Sequence, residues 1–252
     1  MIAPGRAKRP GAGRPGLEPP TPGELESCPF CVGHEEMTPP QTLVLPGEGA
    51  WQVRVVPNLY PALDRQEVVV HTPRHARSIA ELGDDELELV AEAWRRRARD
   101  EPGNVFALLN EGREAGASLP HTHSQLAWLP EPPPPRAQPR GEVVLAHGGV
   151  VASAPWAGRV PYETVVAPTE ADGNAFASDQ LGPALALLAE LVRRLNRLEG
   201  PAPLNAWVEQ GAEDWRLVLF PRLIVLAGLE LGAGLHVNTL PPEEAALRLR
   251  GA

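Results

Sequence analysis

Cysteine, lysine and methionine are scarce in this chain of 252 residues. There are two cysteines and two methionines, and Lys8 is the sole lysine. Two cysteines cannot build the disulfide framework of a small secreted scaffold. No apolar run approaches the roughly 18 residues that a membrane-crossing helix needs. The opening stretch MIAPGRAKRPGAGRPG lacks the apolar centre of a secretory signal. Together these absences lead us to expect a cytoplasmic protein with no membrane partner. Positive charge is also in deficit, at a net −9, so a general nucleic-acid or membrane-surface binder is not expected. What is present points to a globular chain. Hydrophobic residues make up 43% and charged residues 22%, enough for a large core or two modest ones. The 24 glycines and 30 prolines are about a fifth of the chain, against roughly 12% in ordinary proteins, so many turns and long ordered loops are expected.

Residues 1–27 carry many Gly and Pro and little apolar periodicity, and they read as an extended N-terminal arm. Trp51–Leu63 reads as a strand entering a loop, and Glu67–His71 as a short β-branched strand. Ser78 is a plausible N-cap for a helix over Ser78–Asp100, with Ile79, Leu82, Leu87, Val90 and Trp94 at helical spacing. Val105–Asn110 reads as a strand, Glu111–Pro120 as a Gly-containing loop, and HTHSQLAWLP as an alternating strand with His121, His123 and Gln125 on one face. Residues 131–141 form a Pro-rich linker. After it the pattern starts again. ETVVAPT at Glu163–Thr169 resembles EVVVHTP at Glu67–Pro73. A helix around Ala177–Leu198 matches the first helix. LNAWVEQG and DWRLVLFP, ending at Gly211 and Pro221, follow in the positions of the later strands. We read two tandem strand–helix–strand–strand units, 28–130 and 142–252, giving an α+β fold of mainly antiparallel sheet with helices packed on it. The second unit has Asp214 where the first has His123. Chemistry carried by the first unit is therefore not repeated in the second, which is left to packing or substrate contacts.

Two constellations can carry chemistry. Cys28-Pro-Phe-Cys31 is either a redox pair or half a metal site. It lies between Pro-rich loops rather than between a strand and a helix, which favours the metal knuckle. Two further ligands must then be His or carboxylate, and spacing alone does not choose among the seven histidines. His71 and His75 compete, while His34, His147 and His236 read as surface residues. The second constellation is His121-Thr-His123-Ser-Gln125. Histidines at i and i+2 of a strand point the same way, so one can bind metal while the other acts as a nucleophile. Gln125 can donate to a phosphoryl oxygen. Asn110, Gly112, Gly116 and Ser118, just upstream, suit a loop that wraps donors around an anion.

NEGREAGASLPHTHSQLAW resembles the active-site segment of the galactose-1-phosphate uridylyltransferases, a branch of the histidine-triad superfamily in which Gln replaces the last triad histidine. IAPGRAKRPGAG resembles that family's N-terminal arm, and CPFC its zinc knuckle. VVPNLYPAL resembles its nucleotide-side loop, and VVVHTPRHARSIAEL its strand ending in a zinc-binding His. The resemblance implies two tandem histidine-triad-like units, the first catalytic and the second degenerate. It implies zinc on Cys28, Cys31, His75 and His121. His123 would attack the α-phosphorus of a nucleotide sugar, assisted by Gln125 and Ser118, in ping-pong uridylyl transfer between UDP-glucose and galactose 1-phosphate. Arg6, Arg9, Asn58, Asn110 and Gly116 would line the nucleotide or phosphate side, and Glu230 would accept from sugar hydroxyls. The partners implied are a nucleotide sugar and a sugar 1-phosphate, in a homodimer.

The chain departs from the family's pattern in places. It starts at MIAP, where the family begins with a strand. The last strand of the second unit carries no His pair, so no second metal is expected. Leu229 and Ile224 stand where the family has a Tyr and a Lys that hold the acceptor sugar phosphate. The alternatives are an adenylyl-transferring relative, acting on an ADP-sugar or a dinucleoside polyphosphate, and a non-catalytic, metal-stabilised nucleotide-binding protein.

Overall fold

A computed structural model describes residue 2 and residues 19–134, 139–211 and 213–252. Among the described residues there are ten strands: β1 (Leu43–Leu45), β2 (Val53–Pro57), β3 (Gln66–Val70), β4 (Asn104–Glu111), β5 (His123–Leu129), β6 (Gly141–His147), β7 (Val150–Pro155), β8 (Thr164–Pro168), β9 (Leu204–Gln210) and β10 (Trp215–Pro221). They form one sheet in the order β1-β2-β3-β5-β4-β9-β10-β8-β7-β6. Every neighbouring pair is antiparallel. Exchanging each strand for the one five places later reproduces the order in reverse. A pseudo-twofold axis thus passes between β4 and β9, whose residues pair Leu108↔Trp207 and Asn110↔Asn205. The two units join their strands edge to edge at β4 and β9, which leaves neither central strand an open edge.

The core follows from side-chain alternation. In β4, Ala107, Leu109 and Glu111 are buried and alternate with half-buried neighbours. Over the sheet lie α2 (Asp84–Asp100) and α3 (Leu181–Glu199), which present Leu87, Val90, Ala91 and Trp94 and Leu181, Leu185, Leu188 and Leu191 to one continuous core. Each such Leu or Val contributes about 1.5–3 kcal/mol on burial, as an upper bound. The short α4 (Gly228–Ala233) and α5 (Pro242–Gly251) complete the second unit, α5 against β6 and β7. A bidentate ion pair, Arg97 Nε and Nη2 to the Glu67 carboxylate at 2.8 Å each, ties α2 to β3. Among the described residues, no helix is long and apolar enough to cross a membrane.

Three expected boundaries shift. The helix expected from Ser78 begins at Asp84. Ser78 instead caps a separate 3-10 turn, Ile79–Glu81, its Oγ accepting from Ala80 N at 3.1 Å. Leu82 is extended, and the acidic run Asp84, Asp85, Glu86 sets the true start against the helix dipole. The second helix likewise starts at Leu181, after a 3-10 turn at Ala175–Ala177 capped by Asn174. The N-terminal arm is not extended throughout: Pro22–Ser27 forms α1, capped by Thr21 Oγ1, which accepts from Glu24 N at 3.2 Å. Arg6 and Arg9 lie outside the described residues, as do residues 135–138 of the Pro-rich linker.

Glu111 closes β4 beneath the Ser78 turn. Its carboxylate accepts from Ser78 Oγ at 2.8 Å and from Ile79 N, and burial pushes its pKa up to about 7. The folded state therefore holds this proton above the pH at which the unfolded chain, at an ordinary carboxylate value of 4.5, releases it. Stability from this group falls as pH rises from about 4.5 to about 7, and is flat beyond. Glu111→Gln removes that titration. The melting temperature of Glu111→Gln minus that of the wild type is expected to increase between pH 5 and pH 7.5. A pH-independent difference would refute the shift.

Candidate active site

Four ligand-bearing side chains converge from three parts of the first unit. Cys28 and Cys31 lie in the turns just after α1, His75 follows β3, and His121 precedes β5. Cys28 Sγ is 3.5 Å from His121 Nδ1. Cys31 Sγ is 3.2 Å from His75 Nδ1 and 3.7 Å from His121 Nδ1. All four ligand atoms lie within 4.8 Å of one another. Tetrahedral coordination with bonds of about 2.0–2.3 Å puts ligand atoms roughly 3.3–3.8 Å apart, so this donor set can hold a metal ion.

The outer contacts orient the imidazoles toward that centre. His121 Nε2 is 2.9 Å from Thr72 O, and His75 Nε2 is 2.9 Å from Glu24 Oε1. With Nε2 donating in each ring, both Nδ1 lone pairs face the cysteines. Arg77 donates through Nε to Glu24 Oε1 at 2.9 Å and holds that carboxyl below its ordinary value. Burial, then the neighbouring Cys28, pushes the Cys31 thiol up to about 12. Burial also pulls the His121 imidazole down to about 4. The pocket disfavours an isolated charge of either sign, and a divalent cation would balance two thiolates.

His71, the competing candidate, faces the other way. Its Nδ1 is 3.1 Å from Thr122 Oγ1 and its Nε2 is 2.9 Å from Ser124 Oγ, which also accepts from Trp94 Nε1 at 2.9 Å. It belongs to a buried polar network under the helices. His34 is half-buried rather than on the surface, its Nδ1 2.8 Å from Cys28 O, where it braces the knuckle turn.

Alternation in β5 separates His123 and Gln125 from Ser124 on its opposite face, and Thr122, just before the strand, meets His71 together with Ser124. His121 lies outside the strand, but Phe30 of the knuckle packs edge-on against both His121 and His123, with ring centroids 6.0 and 5.2 Å away. His123 is buried, and its Nδ1 is 2.7 Å from His121 O. That carbonyl only accepts, so the proton sits on Nδ1 and Nε2 keeps its lone pair. Burial lowers the His123 pKa, which keeps the ring neutral at neutral pH. Gln125 Oε1 accepts from Asn58 Nδ2 at 3.4 Å and from Gln66 Nε2. Both contacts fall on the amide oxygen, so the NH2 group remains a donor. Asn58 also closes a turn, Oδ1 accepting from Tyr60 N at 2.9 Å.

The loop between β4 and β5 turns at Gly112 (φ 82°) and Gly116 (φ 91°), with a 3-10 turn at Arg113–Ala115 between them. A Cβ on Gly112 would approach Pro203 to 2.9 Å, so glycine is required there by both conformation and space. Ser118 is exposed on this loop. Asn110 Oδ1 accepts from Asn205 Nδ2 at 2.7 Å, a contact across the pseudo-twofold axis. Glu230 is buried in α4 and caps its own helix, Oε2 accepting from Ala227 N at 2.9 Å. Glu24, Phe30, Gln66 and Asn205 were not anticipated. Only Phe30 carried a local signal, its place inside CPFC.

Residues 61–131 match the family model described as galactose-1-phosphate uridyl transferase, N-terminal domain. The chain is 26% identical to ADP-glucose phosphorylase of Arabidopsis thaliana, a match spanning 99% of this chain and 89% of that protein. It is 25% identical to galactose-1-phosphate uridylyltransferase of Thermotoga maritima, over 88% of each. The fold superposes on the crystal structure of the Arabidopsis thaliana ADP-glucose phosphorylase with bound ADP-glucose. The TM-score is 0.86 at 24% identity, over 100% of this chain and 94% of that one.

Proposed function

The chain belongs to the galactose-1-phosphate uridylyltransferase family, and from that premise we propose that it is a nucleotidyltransferase in which His123 carries the nucleotide between two phosphate groups. The observation that supports this most directly is the His123 tautomer. Its Nδ1–H is held by His121 O at 2.7 Å, which leaves Nε2 unprotonated at the start of β5, the strand into which the donor-rich loop leads. Nε2 attacks the α-phosphorus of a nucleoside diphosphate sugar. A P–N bond forms, the bond to the β-phosphate bridging oxygen breaks, and a sugar 1-phosphate leaves. An acceptor phosphate oxygen then attacks the same phosphorus, the P–N bond breaks, and neutral His123 is regenerated.

Gln125, through its free NH2 group, donates to the phosphoryl oxygens, with Ser118 and Asn110 beside it. Gly116 lets the backbone come close. Asn58 borders the nucleotide, Arg6 and Arg9 supply phosphate contacts, and Glu230 accepts from the sugar. Cys28, Cys31, His75 and His121 would hold zinc, which supplies rigidity rather than acid catalysis, by fixing His121 and hence the carbonyl that sets the His123 tautomer.

For the nucleotide, an adenylyl group from an ADP-hexose, passed to orthophosphate, is the reading we favour. It is supported by the match to ADP-glucose phosphorylase along 99% of the chain. It is supported also by Ile224 and Leu229, which remove the donors a galactose 1-phosphate acceptor would need. Uridylyl transfer between UDP-glucose and galactose 1-phosphate is the second reading, supported by the family match over residues 61–131. The test is the intact mass after incubation with ADP-glucose and, separately, UDP-glucose. An adenylyl-sized gain with release of glucose 1-phosphate is expected. A uridylyl-sized gain alone would replace the first reading by the second, and no gain with either would overturn nucleotidyl transfer from these donors.

A further inference from the structure

We propose that Asn205, from the unit that has no nucleophile, is a positioning residue that forces Asn110 to present a hydrogen-bond donor to the β4–β5 loop. This rests on the nucleotidyl-transfer reading of that loop. Asn205 sits on β9 directly opposite Asn110 on β4. Its Oδ1 accepts from Arg222 Nη1 at 3.2 Å. Its Nδ2 donates to Asn110 Oδ1 at 2.7 Å and to Ala115 O at 2.8 Å. A guanidinium has donors and no acceptor, and a backbone carbonyl has acceptors and no donor. Arg222 and Ala115 therefore allow the Asn205 amide one orientation only, with oxygen toward Arg222 and nitrogen toward Asn110.

That choice propagates. Asn110 must turn its oxygen to Asn205, which leaves its Nδ2 on the loop side, 4.0 Å from where a Cβ of Gly116 would sit. An anionic phosphoryl group in the loop meets an N–H donor there, whereas the reversed amide would meet it with an oxygen. The same Nδ2 of Asn205 holds the 3-10 turn by the Ala115 carbonyl. Arg222 is itself fixed to β9's entry, its backbone N–H donating to Pro203 O at 2.8 Å, and Pro203 is the residue packed on Gly112. The second unit thus sets the polarity of the first unit's loop while touching the substrate through none of these atoms.

The isosteric change Asn205→Asp tests this. It keeps size and strengthens the partner for Arg222, but replaces the donor facing Asn110 and Ala115 by an acceptor. Asn110 must then reverse, and its oxygen faces the loop. The first-order rate and KM of nucleotidyl-adduct formation from ADP-glucose, with ADP-glucose affinity by calorimetry, are measured for the wild type and for Asn205→Asp, Asn205→Ala, Asn110→Ala and the double variant Asn110→Ala/Asn205→Asp. Asn205→Asp is expected to lower kcat/KM for adduct formation about 100-fold and to weaken binding at unchanged metal content, with a melting temperature a few degrees lower because the Ala115 carbonyl loses its donor. Asn205→Ala is expected to lose about 10-fold, which keeps the test available if the Asp variant folds poorly. In the Asn110→Ala background, Asn205→Asp should cost less than about threefold more, because the amide it misorients is gone. Equal costs in both backgrounds, or an Asn205→Asp chain within threefold of the wild type, would overturn the proposal. If the wild type binds ADP-glucose without forming an adduct, nucleotidyl transfer from ADP-glucose fails, and the same variants' affinities still decide the role of Asn205. A wild type that neither binds nor reacts with ADP-glucose or with UDP-glucose overturns both.

Discussion

His123→Gly is expected to abolish adduct formation and turnover, a loss of at least about 10⁴-fold, because the proposed mechanism forms the P–N bond on His123 Nε2. The metal content should not change, since the four cluster residues are Cys28, Cys31, His75 and His121. Stability should fall modestly: glycine weakens a strand, and the edge-on contact with Phe30 at 5.2 Å is lost. His123→Asn separates chemistry from packing, since an amide N–H can replace the donor to His121 O but not the nucleophile. The measurement is intact mass after incubation with the nucleotide sugar, beside metal analysis and thermal melting. An adduct on either variant, or turnover within tenfold of the wild type, would remove His123 from the mechanism.

Cys28→Ser is expected to release the metal and to lower the melting temperature by roughly 10 °C, since a few kcal/mol of metal linkage moves a chain of this length by about that much. A serine hydroxyl is a poor replacement for a thiolate ligand, and Cys28 also sits in a small buried cluster with Phe30, Val56, Val68 and Val70. Chelation of the wild type distinguishes the two effects, because it removes the metal without touching that packing. Treatment with a strong chelator should reproduce most of the drop, and added zinc should reverse it. Adduct formation should slow with it, as the carbonyl of His121 loses its anchor. Purified wild type that carries no metal, and melts at the same temperature with or without chelator and zinc, would show that the cluster is an ordinary buried thiol–imidazole group.

Much of the site was legible because its signals are local. Two cysteines three apart can only face one centre from one turn, and residues two apart on a strand share a face by backbone geometry alone. The second unit was legible for the same reason. Its strand and helix patterns repeat those of the first, and the sheet order puts β3 and β8, β4 and β9, and β5 and β10 at equivalent positions about the pseudo-twofold axis. The first helix start was misplaced because Ser78 carries a real capping signal that belongs to a short 3-10 turn, and the second because Ala177 ends a similar turn, capped by Asn174. Gly83 and the acids after it then mark the true start of α2.

What the residue pattern determined by itself was the chemistry available: a CxxC knuckle, a His-x-His-x-Gln strand, a loop rich in glycine and polar donors, and an α+β repeat in which one copy lacks the His-x-His pair. Tertiary structure decided which groups meet. His71 and His75 differ by four residues, yet only His75 leaves β3 in the direction of the cysteines. Glu24 was hidden in a Pro/Gly-rich arm and acquires a role only through His75 and Arg77, more than fifty residues away. Asn205 meets Asn110 because two sheets join at β4 and β9. The physical reason is range. Alternation and turn chemistry act over a few residues and can be read from their order, whereas contacts across fifty to one hundred residues exist only once the sheet has set its strand order and register.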